Sequence, residues 1–102
     1  MRIIKTLTKL IDEELCDAEK YAKLALELKE VYPELAEAMF SLSGEELKHM
    51  ALLHNHVEKF IAQHKDDADP RTEGMKLAHE LLHEQAIEKE KSVKILQMMF
   101  RE

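Results

Sequence analysis

Apolar residues recur along this chain at alternating steps of three and four, the spacing that keeps one stripe of an α-helix facing a partner. The first run is Ile4, Leu7, Ile11, Glu14, Ala18, Tyr21, Ala25 and Leu28. A second follows through Leu35, Met39, Leu42, Glu46, His49, Leu53, His56 and Phe60. Between them stands Val31-Tyr32-Pro33, where the proline suits the first turn of a new helix and blocks continuation of the old one. The pattern predicts an antiparallel hairpin with helices over residues 2–30 and 33–64. A polar stretch from Lys65 to Asp69 then precedes Pro70, and Asp69 as N-cap predicts a third helix over residues 70–100. The expected fold is all-α, a two-helix hairpin plus a third helix in a single domain spanning residues 1–102.

Charged residues interrupt both stripes, and they do so at one level. Counted from the turn at Tyr32, Glu14 lies about 27 Å back along its helix, while Glu46 and His49 lie about 21 and 25 Å forward along theirs. A carboxylate held in an apolar seam is costly unless a cation, a metal or several hydrogen bonds compensate it. Glu14 facing Glu46-x-x-His49 is half the ligand set of a di-iron carboxylate bundle, in which two helices give a Glu each and two give Glu-x-x-His. Carboxylate oxygens with one imidazole per metal suit Fe or Mn better than a structural zinc. A second copy related by a two-fold axis would supply the missing half, so the expected unit is an isologous homodimer with metal at its interface.

At these residues the chain resembles the ferritin-like superfamily and is most similar to the encapsulated ferritin family. Glu13-Glu14-Leu15, with Tyr21 after it, and Glu45-Glu46-Leu47-Lys48-His49 carry the likeness, which spans residues 8–60. The resemblance implies a ferritin-like four-helix bundle completed by dimerisation and a ferroxidase oxidising Fe(II) with oxygen. It implies Glu14, Glu46 and His49 as iron ligands, and a larger ring of dimers. Glu13 corresponds to the acidic position through which metal approaches in that family, with Asp17 and Glu45 as further acidic neighbours and Tyr21 as an adjacent aromatic. Cys16 stands where a second acidic residue is expected. The family implies iron storage inside a protein nanocompartment and an encapsulating shell partner. This chain ends at Glu102 directly after an apolar stretch, so its residues give no targeting tail.

The third helix carries Met75, Ala78, Leu81, Leu82, Ala86, Val93, Leu96 and Phe100, but it is sparsely apolar between His83 and Ser92. It is expected to pack at both ends and to be wet between them, on its own hairpin or on another subunit. It also spells His79-Glu80-Leu81-Leu82-His83, the H-E-x-x-H pattern of zinc metalloproteases. A protease needs a third ligand and a substrate cleft, and a small helical chain offers neither. Glu80 and His83 form a second Glu-x-x-His that lacks a fourth helix. His56 reads as a hydrogen-bonded core histidine and His54 and His64 as surface residues. Gly44 reads as a kink or a close-approach point in the second helix.

Composition narrows the classes. Only 2 Gly and 2 Pro accompany 35% charged residues, which leaves little turn chemistry for a sheet. The net charge of −6 repels nucleic-acid phosphates and attracts cations. No apolar run long enough for a membrane span and no basic-then-apolar leader is present, so a cytoplasmic or nanocompartment location is expected and secretion is not. The single cysteine cannot form an intrachain disulfide and reads as a packing residue. Two other readings of the Glu14–Glu46–His49 layer stand beside the ferroxidase: a polar layer fixing register in a non-catalytic assembly protein, and a redox-inactive Mn- or Zn-binding module.

Overall fold

The computed structural model describes residues 2–63 and 70–102; His64 and the expected linker with its Asp69 cap lie outside them. Three α-helices make up the described residues, with no strand among them: α1 (Arg2–Leu28), α2 (Pro33–Gln63) and α3 (Pro70–Arg101). They form a narrow bundle measuring 57 × 17 × 16 Å. Helices α1 and α2 make the expected antiparallel hairpin, and α3 lies on it, packed chiefly against α1.

The hairpin turn is tight because Leu28 does double duty. Its carbonyl accepts from the amides of both Val31 (3.2 Å) and Tyr32 (2.8 Å), capping α1. Pro33 then opens α2, and the Tyr32 carbonyl accepts the Ala36 amide at 2.9 Å, giving the new helix its first bond at a position where proline's missing N–H costs nothing.

The core of α2 is Ala36, Ser43, Met50 and Val57, a strict seven-residue spacing of the kind that packs along a helix seam. The buried face of α1 is Ile4, Ile11, Leu15, Ala18, Ala22 and Ala25. Small residues dominate near the turn, where Ala25 and Ala36 pack with Phe100; larger ones, Ile11, Leu15, Met50 and Val57, fill the far half. Leu15 is wholly buried, and truncating such a side chain costs about 2–5 kcal/mol.

Ser43 is the one buried hydroxyl in the α2 seam. It donates to the Ala18 carbonyl at 2.7 Å and accepts from Gln97 Nε2 at 2.9 Å. One side chain therefore ties all three helices together. At the turn end, Phe40 stacks on Phe100 with centroids 4.9 Å apart, and the Arg101 guanidinium lies 4.1 Å from the Phe40 centroid while pairing with Glu37 at 2.9 Å.

The buried stripe of α2 is rotated from the one the apolar spacing predicts. Leu35 is 48% exposed and His56 is exposed, so His56 is not the core histidine expected. His54 is the reverse: 30% exposed rather than a surface residue. The cause is α3, which covers the flank of the hairpin bearing Asp12, Cys16, Phe40 and His54. The predicted seam, with Glu14, Glu46 and His49, lies on the other flank. Gly44 has open space where a Cβ would stand, so no neighbouring backbone approaches it closely.

Candidate metal centre

Glu14 reaches the inter-helix groove from α1, and Glu46 and His49 reach it from one turn of α2. Each offers a ligand atom, and these atoms lie within 4.8 Å of one another. His49 Nδ1 is 3.5 Å from Glu14 Oε2 and 3.7 Å from Glu46 Oε2. The two carboxylates are the more sheltered members, at 26% and 17% exposure, while the imidazole is 56% exposed. The antiparallel register inferred from helical rise thus brings the three predicted residues together.

One atom carries the chemical content. Glu14 Oε2 is shielded from solvent and accepts no hydrogen bond, although His49 Nδ1 is near it. An unsatisfied charged acceptor costs about 1–3 kcal/mol or more, and a hard cation between the carboxylates would remove that cost. The donor set, two carboxylates and one imidazole, fits Fe or Mn. It is also incomplete: three protein donors on one side of an ion leave the open flank to be filled by another chain or by solvent.

The neighbouring acidic residues are placed less specifically. Glu13, Asp17 and Glu45 are exposed, and Tyr21 is partly buried two turns from Glu14 on the same face of α1. Cys16 turns towards α3, where its sulfur accepts from Lys89 Nζ at 2.7 Å. That hydrogen bond, opposed by partial burial and helped by Asp12, holds the Lys89 pKa above its ordinary value. The cysteine position therefore belongs to the α1–α3 contact and not to the acidic groove.

A second group of metal-capable side chains was hidden in the sequence. His54 and Glu58 on α2 meet His83 of α3 with ligand atoms within 4.8 Å, and His79 Nε2 lies 3.5 Å from Glu58 Oε1. The signal was present as two i, i+4 pairs, His54/Glu58 and His79/His83, on either side of the linker; nothing in their spacing shows that α3 folds back to join them. Glu80 of the H-E-x-x-H pattern is exposed and takes no part.

No family model matches this chain, and no curated protein or solved structure does. No helix among the described residues is long and apolar enough to cross a membrane.

Proposed function

We propose that this chain is a ferroxidase of the ferritin-like kind, in which two copies pair through the open flank of the hairpin and share a di-iron site. The observation that carries the reading is the convergence of Glu14, Glu46 and His49 around a shielded Glu14 oxygen that accepts no hydrogen bond, on the flank opposite the one α3 covers. Exposed Leu35, with Ile3 and Leu10 of α1, supplies apolar surface for such a pairing. The two-fold copy doubles the set to four Glu and two His, the full complement of a di-iron bundle.

Fe(II) is the substrate. Two ferrous ions give up one electron each, and dioxygen takes the pair with two protons to leave as hydrogen peroxide. The carboxylates hold the ions close together and neutralise the charge that rises on oxidation. His49, the exposed ligand, is the group that solvent and an incoming ion meet first. A ring of dimers or a surrounding shell would supply the cavity for storage that a chain of this size lacks.

The test is anaerobic Fe(II) titration of metal-free protein followed by oxygen, read by absorbance, oxygen uptake and mass in solution. One iron per chain, association on binding and rapid oxidation support the reading. Binding without oxygen uptake would reassign the site to a redox-inactive metal module; no binding at all would leave Glu14, Glu46 and His49 as a polar layer in an assembly protein.

A further inference from the structure

The side chains of His54, Glu58, His79 and His83 converge from α2 and α3 at the end of the bundle away from the hairpin turn. Glu58 Oε1 stands at the centre, 3.3 Å from His54 Nε2 and 3.5 Å from His79 Nε2. Donor atoms about 2.0–2.1 Å from a tetrahedral zinc are about 3.3 Å from each other, so these two separations already match edges of a coordination tetrahedron. The His83 ring lies face to face with His54, with centroids 4.3 Å apart and planes 8° from parallel. It is 5.9 Å from His79.

Hydrogen bonding alone does not account for this cluster. His79 is only 6% exposed; its Nε2 is within hydrogen-bond reach of Glu58 Oε1 at 3.5 Å, and the opposite ring nitrogen, Nδ1, is buried with no partner. His54 Nε2 is likewise buried and makes no hydrogen bond. The single Glu58 oxygen is shared by His54 and His79, and the His83 donor lies in the same group.

We propose that His54, Glu58, His79 and His83 form an intrachain site for a divalent late transition metal of the zinc class, separate from the Glu14–Glu46–His49 centre. Three nitrogens and one oxygen are a donor set for Zn(II), with Cu(II), Ni(II) and Co(II) as competitors, whereas the carboxylate-rich centre prefers harder ions. Four protein ligands close the coordination sphere, so the role is structural: the metal fastens the first half of α3 to α2, two helices that otherwise touch each other sparingly. Glu58 is 52% exposed and gives the ion its approach from solvent. The H-E-x-x-H pattern of α3 thus supplies two zinc ligands without a protease.

The experiment uses the full chain in a Glu46→Ala/His49→Ala background, so that zinc or cobalt at the other centre cannot contribute. Competition with a chromophoric chelator should give one Zn(II) per chain, and Co(II) should give the intense visible bands of a tetrahedral site. X-ray absorption should show three nitrogens and one oxygen at about 2.0–2.1 Å. His79→Ala or His83→Ala should weaken zinc binding about 100-fold or more, since even groups that only orient a ligand are worth 10–100-fold; Glu80→Gln should not. Each histidine variant should also lose the zinc-dependent rise in Tm while keeping its metal-free helicity. Zinc affinity that is unchanged in both histidine variants, or an absorption spectrum with a single imidazole, would overturn the site. Failure of iron oxidation in the wild type would leave it standing.

Discussion

The two flanks of α2 bear metal-capable groups of opposite character. On one, two carboxylates and one imidazole lie in an open groove; on the other, three imidazoles surround one carboxylate and are closed over by α3. The difference lies in what the chain can finish alone. Covering a flank with a helix of the same chain adds donors from that helix to the group, while a bare flank leaves three donors that only solvent or another chain can add to. One helix can serve both because residues 49 and 54 are five positions apart, which turns their side chains about 140° from each other.

The largest expected effect separates the flanks by function. Glu46→Ala or His49→Ala should reduce Fe(II) oxidation to the rate seen in buffer, with helicity and zinc binding intact; a wild-type oxygen uptake rate in either would refute the iron centre. Leu35→Asp places a charge on the open flank at a residue the chain itself leaves half exposed. It should shift the protein to monomer in sedimentation and cut iron oxidation with it, while the zinc-dependent Tm stays. An active monomer would break the idea that the open flank needs a partner.

Smaller effects sharpen the closed flank. At a free zinc concentration 100 times Kd, metal should add about 2.7 kcal/mol to unfolding free energy, and chelator should remove it; no change in Tm on chelation of zinc-loaded protein would argue against a structural ion. Ser43→Ala strips the hydroxyl from between Ala18 and Gln97 and should cost about 1–3 kcal/mol in denaturant unfolding, with iron and zinc stoichiometry unchanged. Arg101→Ala is the mildest change, about 0.5–1 kcal/mol, because Arg101 and its ion-pair partner Glu37 are both more than half exposed.

The hairpin was legible because helical spacing, Pro33 and the rise per residue all constrain the same geometry. Glu14, Glu46 and His49 could be placed at one level from those alone. Which apolar stripe faces the chain's own core was not legible. Leu35 and His56 share a spacing with Met39 and Leu53, and periodicity does not distinguish a stripe the chain leaves exposed from one it buries. The true seam of α2 runs through Ala36, Ser43, Met50 and Val57, and its first two members are too small or too polar to announce a core. His54 was missed for a related reason. It became half-buried through a helix that begins beyond the linker, and no local pattern reports so distant a cover.

The stacking of Phe40 on Phe100 sets where α3 is held without a metal. That apolar contact anchors the C-terminal end of the helix beside the hairpin turn, while the His79 end meets α2 mainly through groups that a metal would join. With the proposed zinc site, α3 would have a metal-independent anchor at Phe100 and a metal-dependent one at His79, in addition to its packing along α1. In amide hydrogen exchange, protection near Val93 and Phe100 should be the same with and without zinc, while protection around His79 should rise when zinc is added and fall when it is chelated.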